Sequence, residues 1–356
     1  MMKRGFIFWD RREIGEDDFR KRKERIIAKM REEQLGYLLV YGDVWQSDEV
    51  RYLTNFNTYT RDCVAGLSLD GKMSIVSSMT PRDREWIAGF TPVAGQDIYF
   101  AAGLVKASDV MKKDGFTAGR IGLVGHFFPT VLFDHLEAEF PGTVFIDLTT
   151  WYRELRRVSD AADLGLVKRA ALLAQGAARV LTDPGLAGKK ETEASAQAEW
   201  LVRSRGGEDY VCACSSGKDG FMHFPGERRI NDYFAFSLLV QYKGCWASME
   251  RTFFARGLAA DESAALAALA SGVRQGTSLE GLMKLIEEAK ADQWVVAMKS
   301  PIGPDGPSSI VPCLAAAPTE VGAVFSLSFS RETEKGLLAY GETVYIGEEG
   351  YEVCTA

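Results

Sequence analysis

A chain of 356 residues has room for two domains, and its 46 % hydrophobic and 26 % charged residues are those of an ordinary globular protein. The net charge of −7 argues against a nucleic-acid surface. The six scattered cysteines argue against a disulfide framework, and no apolar run is long enough to span a membrane or act as a signal peptide, so a cytoplasmic protein is expected.

The first half reads as an alternation of helices and strands. Residues 17–34 carry Phe19, Ile26, Ile27 and Met30 on roughly one helical face, and Gly36 ends the helix. A buried strand follows at 37–41. A polar loop over 57–62 precedes a hairpin of 63–69 with 73–77, turned at Asp70-Gly71. Further strands are expected at 96–101, 120–124 and 143–148, with helices at 106–113 and 132–139. This pattern predicts an α/β domain over residues 1–156.

The second half, 157–356, reads as α+β. Ser159 is expected to cap a long alanine-rich helix running to residue 181. A second helix at 191–205 ends at Gly206-Gly207, and a strand covers 208–216. After a hairpin come two helices, 261–271 and 277–291, then strands at 294–298, 321–330 and 337–346. The turn at 303–307 carries no chemistry of its own. Cys212-x-Cys214 alternates in a strand, so both thiols point to one face. They are read as buried thiols, because no further ligand at metal-binding spacing is visible beside them.

The stretch that holds this half together begins at Phe221-Met-His-Phe-Pro-Gly226. It runs through the strand Leu238-Leu-Val-Gln-Tyr242 and the turn Lys243-Gly244 to Trp246-Ala-Ser-Met-Glu-Arg-Thr-Phe-Phe254. Glu250 and Arg251 are charges inside an otherwise apolar strand, and each needs a partner or a ligand there. A histidine shortly before such a hairpin, facing its carboxylate, makes an acid/base pair.

These residues resemble the creatinase/prolidase/aminopeptidase P family, whose catalytic domain has the pita-bread fold. Ser248-Met-Glu-Arg-Thr-Phe-Phe254 is similar to the Ala-Leu-Glu-Arg-Thr-Leu-Phe of creatinase, the metal-free branch, and His223 lies in the context of that enzyme's catalytic histidine. Leu155-Arg-Arg-Val-Ser-Asp160 resembles the family's entry into its catalytic domain. The resemblance implies a creatinase-type N-terminal α/β domain over 1–156 and an α+β pita-bread domain, shortened near the C-terminus, over 157–356. It also implies a homodimer.

The family's metallopeptidases hold a dinuclear metal centre with aspartates, a histidine and glutamates. In this sequence the matching positions fall on Gln241, Ser248, Ser300, Ser328 and Gly341. Glu342 stands beside the last of these, but a shift of one residue reverses the face of a strand. The resemblance therefore implies no metal and no other cofactor. It implies a metal-independent hydrolase of a C–N bond in a small amide or amidine compound. His223 would be the general acid/base and Glu250 the binding carboxylate. Arg61 and Tyr59, on the N-domain loop, and the aromatic residues Phe221 and Trp246 would contact the substrate. The loss of a second glutamate makes creatine itself a poor substrate, since a guanidinium is best held by paired carboxylates. The alternatives are an inactive family member that binds a small molecule or short peptide, and an Xaa-Pro metallopeptidase. Each residue also has a purely structural role open to it: His223 bonded to nearby backbone, Glu250 in an ion pair, Arg61 solvated.

Overall fold

The computed structural model describes residues 8–355 apart from 126, 219, 254–259, 277 and 301–318. The 303–307 turn lies outside the described residues. The chain divides into two compact units, one ending at Arg156 and the other beginning at Arg157.

The first unit opens with α1 (Glu16–Glu32), which buries Phe19, Ile26, Ile27 and Met30 as its spacing predicts. It continues through β1 (Tyr37–Asp43), α2 (Asp48–Thr54), β2 (Asp62–Ser68), β3 (Met73–Ser77), α3 (Arg84–Ala88), β4 (Ile98–Phe100) and α4 (Lys106–Lys113). Then come β5 (Arg120–Val124), α5 (Thr130–Glu139), β6 (Val144–Asp147) and α6 (Thr149–Arg157). The strands form one six-stranded sheet in the order β4-β3-β2-β1-β5-β6. β2 and β3 form an antiparallel hairpin, β1 pairs antiparallel with β2 across a connection that carries α2, and β5 and β6 add in parallel after helical crossovers. Tyr37, Leu39, Val64, Met111, Ile121 and Leu136 form the core under α4 and α5.

In the second unit α7 (Ala161–Leu181) is capped by Asp160, whose side chain accepts from the Asp163 amide. The cap is thus one residue later than expected. The Ser159 amide is instead taken by the Gly322 carbonyl. α8 (Glu191–Ser204) and β7 (Asp209–Ser215) lead to the hairpin of β8 (Phe234–Tyr242) and β9 (Cys245–Phe253). Lys243 and Gly244 both adopt positive φ, the two-residue turn that matches strand twist. α9 (Ala260–Gln275), α10 (Leu279–Ala291), β10 (Val295–Lys299), β11 (Val324–Thr333), β12 (Gly336–Gly347) and β13 (Gly350–Val353) complete the unit. The sheet order is β10-β11-β12-β9-β8-β7, with β13 also paired to β12.

Two helix pairs cover one face of this sheet. α7 and α8 pack on Cys212, Cys214, Phe236, Leu238, Val240, Ala247 and Met249, and α9 and α10 pack on Phe325, Leu327, Phe329, Leu338 and Tyr340. Each fully buried Phe or Leu contributes about 1.5–3 kcal/mol relative to exposure. No described helix of this unit covers the other face of β8, β9, β12 and β11, called the open face below; its side chains turn polar, and Gln241, Ser248, Ser328 and Thr343 on it are buried.

Candidate functional site

Strand alternation decides which side chains share the open face. Residues directly opposite one another in an antiparallel pair project to the same side. Phe236 and Leu238 lie in the helix-covered core, so their neighbours Ser237 and Leu239 face the other way, together with their partners Glu250 and Ser248. Gly341 pairs with Glu250, and Ser328 pairs with Gly341. Ser326 pairs with both Thr343 and Lys299. The open face therefore collects Ser237, Gln241, Ser248, Glu250, Lys299, Ser326, Ser328, Gly341 and Thr343.

Hydroxyls dominate it. The Ser248 hydroxyl donates to Ser326 Oγ at 2.5 Å, its amide donates to Thr343 Oγ1 at 2.7 Å, and Thr343 Oγ1 donates back to the Ser248 carbonyl at 3.0 Å. Ser237 donates to Glu250 Oε1 at 3.0 Å. Burial raises the Glu250 carboxyl above its ordinary range, with Lys299, the Ser237 hydroxyl and Arg251 acting in the opposite direction. Gly341 gives Glu250 its space, since a Cβ there would stand 2.9 Å from Glu250 Cγ.

This donor set does not fit a dinuclear metal centre. Such a centre needs several carboxylates and a histidine converging on it. The positions given by the resemblance carry hydroxyls, an amide and a glycine, and Ser248 is already bonded to its neighbours. Gln241 is fully buried opposite Trp246, while Ser248 faces Leu239. Glu342 supplies no substitute. It projects to the helix-covered face, where it is fully buried and accepts from Arg251 Nη2 at 2.5 Å, Arg274 Nε at 3.0 Å, Tyr340 Oη at 2.8 Å and Thr355 Oγ1 at 2.5 Å.

The expected His223–Glu250 pair is not formed. His223 lies on a segment outside β7 and exchanges both backbone hydrogen bonds with Cys214, at 2.8 and 2.9 Å. It therefore shares the side of Cys214, the helix-covered one, and β7 and β8 stand between it and Glu250. Its Nδ1 lies 2.9 Å from the Phe224 carbonyl and 3.8 Å from Glu191 Oε2. The distance in sequence between a histidine and a carboxylate says nothing of which edge the intervening loop docks on.

The other expected contacts divide. Phe221 is 59 % exposed and meets the His223 ring edge-on at 6.2 Å. Trp246 stands opposite Gln241, on the face that carries Glu250, and is 4 % exposed. Tyr59 and Arg61 belong to the first unit, Tyr59 edge-on to Trp86 at 5.3 Å and Arg61 exposed with φ of 59°. The sequence reading missed Glu191, which accepts from Ser216 Oγ at 2.6 Å and the Gly226 amide at 2.9 Å and so holds the His223 loop. Its signal was available: a glutamate in the first turn of a helix, a position favoured for an anion.

Residues 22–158 match the Creatinase/Prolidase N-terminal domain. That match covers the first unit, and the likeness of the rest of the chain to this family is one of fold. Over more than nine-tenths of its length it has the pita-bread architecture of solved prolidases. The prolidase from Pyrococcus horikoshii OT3 superposes with a TM-score of 0.73 at 14 % identity, covering 94 % of this chain and 98 % of its own. The Xaa-Pro dipeptidase from Bacillus anthracis gives 0.71 at 17 % identity, with 95 % and 97 % covered. The X-Pro aminopeptidase from Thermotoga maritima MSB8 gives 0.70 at 16 %, with 94 % and 97 % covered. No curated protein matches the sequence. Among the described residues, no helix is long and apolar enough to cross a membrane.

Proposed function

We propose that this creatinase/prolidase-like chain binds a small amide, amidine or short-peptide compound at the open face of its second unit, with Glu250 as the anchoring carboxylate. The observation that carries this reading is the surroundings of Glu250 on that face: a half-buried carboxylate with raised proton affinity, set among hydroxyls where the resemblance places a metal centre. A carboxylate of this kind accepts N–H groups from a cationic or amide ligand, and the surrounding hydroxyls both donate and accept. Separation of His223 from Glu250 supports binding over hydrolysis by that pair.

Metal-independent hydrolysis of a C–N bond is the second reading, and one observation favours it. Glu250 has a raised proton affinity and a serine hydroxyl 3.0 Å away, the group types needed to move a proton to a leaving nitrogen. Calorimetric titration with amides, amidines and Xaa-Pro dipeptides separates the readings when run beside an assay for released amine. Binding lost in Glu250→Gln with no amine released supports the binding protein. Amine release abolished by the same change supports the hydrolase. Equal ligand binding by wild type and Glu250→Gln removes Glu250 from the site.

A further inference from the structure

A second cluster of chemistry-bearing residues lies away from the Glu250 face. Glu191, from the first turn of α8, Cys214, from β7, and His223, from the docked segment, each place one ligand atom within 4.8 Å of the other two. Glu191 and Cys214 are fully buried, and the His223 side chain is 26 % exposed, so the cluster reaches solvent only along the imidazole. Phe221 and Phe224 are 59 % and 72 % exposed on either side of that histidine.

The imidazole is set up as a ligand rather than as a packed core group. A carbonyl only accepts, so the 2.9 Å contact with Phe224 makes Nδ1 the donating nitrogen. Nε2 is buried and has no hydrogen-bond partner. Nδ1 is also the nitrogen 3.8 Å from Glu191 Oε2, so movement of the His223 segment on binding has to turn the unpartnered Nε2 onto the cation, with Nδ1–H kept on a carbonyl as in the usual orientation of a metal-bound histidine. Glu191 keeps unused lone pairs after accepting from Ser216 and Gly226, because a carboxylate offers about four acceptor positions.

We propose that Glu191, Cys214 and His223 form a mononuclear site for a zinc-class divalent cation. Thiolate, imidazole and carboxylate together select zinc, or cobalt as its spectroscopic substitute, over magnesium and calcium, which take oxygen ligands. In a tetrahedral site with bonds of about 2.0–2.3 Å the ligand atoms stand roughly 3.3–3.8 Å apart, so binding draws the cluster together by about 1 Å. The segment that moves is the partly exposed one carrying His223. A cysteine that binds no metal carries a thiol proton at neutral pH. Binding replaces that S–H proton by the metal and releases one proton to solvent. Three protein ligands leave a fourth position for water or a ligand oxygen, beside Phe221 and Phe224.

The test uses the full chain, stripped with a chelator, loaded with cobalt(II) or zinc(II) and dialysed. Retention of about one cobalt per chain is expected, with a thiolate-to-cobalt charge-transfer band in the near ultraviolet. Cys214→Ala removes the band, and His223→Ala weakens cobalt affinity at least tenfold. Cys212→Ala and Glu250→Gln keep both band and affinity. Circular dichroism of the metal-free variants confirms that each is folded. Failure of the wild type to retain metal overturns the proposal. So does retained cobalt without the thiolate band, or equal retention by folded Cys214→Ala and His223→Ala. None of these outcomes depends on whether Glu250 binds a ligand.

Discussion

Removing the Glu342 carboxylate tests the assignment of that residue to structure rather than to a metal centre. Glu342 is fully buried and is the shared acceptor for Arg251, Arg274, Tyr340 and Thr355. Glu342→Ala leaves the Arg251 guanidinium without its carboxylate; its side chain is 16 % exposed, and it keeps the Glu250 and Gly341 carbonyls and the Tyr340 ring at 4.7 Å. Breaking a buried pair on one side costs about 3–5 kcal/mol. The Arg274 contact adds little, because that side chain is 41 % exposed and its pairing is screened. For a unit of this size each kcal/mol is about 2–4 °C, so a fall in Tm of roughly 6–20 °C is expected. Thermal and urea unfolding measure it. Arg251→Met in the same background should recover part of the loss, with a coupling of about 0.5–3 kcal/mol, because the stranded charge is then gone. A Glu342→Ala protein within about 1 kcal/mol of wild type would refute the argument that this glutamate clamps β9, β12 and α9 together.

Four other outcomes are expected. Burial raises the Glu250 carboxyl, so the folded state holds its proton to higher pH than the unfolded chain. The associated stability is fully present below the unfolded value of about 4.3 and is lost as pH rises through the folded one. Glu250→Gln should thus be more stable than wild type at neutral pH and indistinguishable at acid pH, and urea midpoints across pH 3–8 that run parallel would contradict this. Gly341→Ala places a Cβ 2.9 Å from Glu250 Cγ and 3.2 Å from the Leu327 carbonyl, and a loss of about 1–3 kcal/mol is expected together with weaker ligand binding at Glu250. Unchanged stability and unchanged affinity in that variant would mean that Glu250 turns away freely. The homodimer implied by the family resemblance predicts a solution mass of twice 39.2 kDa by light scattering. Arg61→Ala in that dimer should weaken binding of carboxylate-bearing ligands more than of neutral ones, and equal weakening would remove Arg61 from substrate contact.

Much of the architecture is written locally. Apolar spacing at Phe19, Ile26, Ile27 and Met30 is enough for α1, and the Lys243-Gly244 turn is enough for the β8–β9 hairpin. Alternation along β12 already separates Gly341 from Glu342, and the two residues do face opposite sides of the sheet. Where local signals compete, the reading slips by a residue. Ser159 and Asp160 are both good caps, and the choice fell to Asp160 because the Ser159 amide pairs with Gly322. α6 was missed because its aromatic and charged residues carry no terminating signal before the next helix begins.

The sequence by itself determined the chemistry available on the open face. By the family resemblance the positions of a dinuclear centre fall on serines, an amide and a glycine, with the carboxylate of Glu250 among them. Which groups meet was decided only by the tertiary structure. His223 precedes the hairpin in the chain, but its loop docks on the far edge of β7, held by Glu191 from α8, so its ring joins Cys214 and not Glu250. Sheet edges and helix termini gather residues from distant parts of the chain, and hydrogen bonds to backbone amides set the docking. No periodicity along the sequence records that.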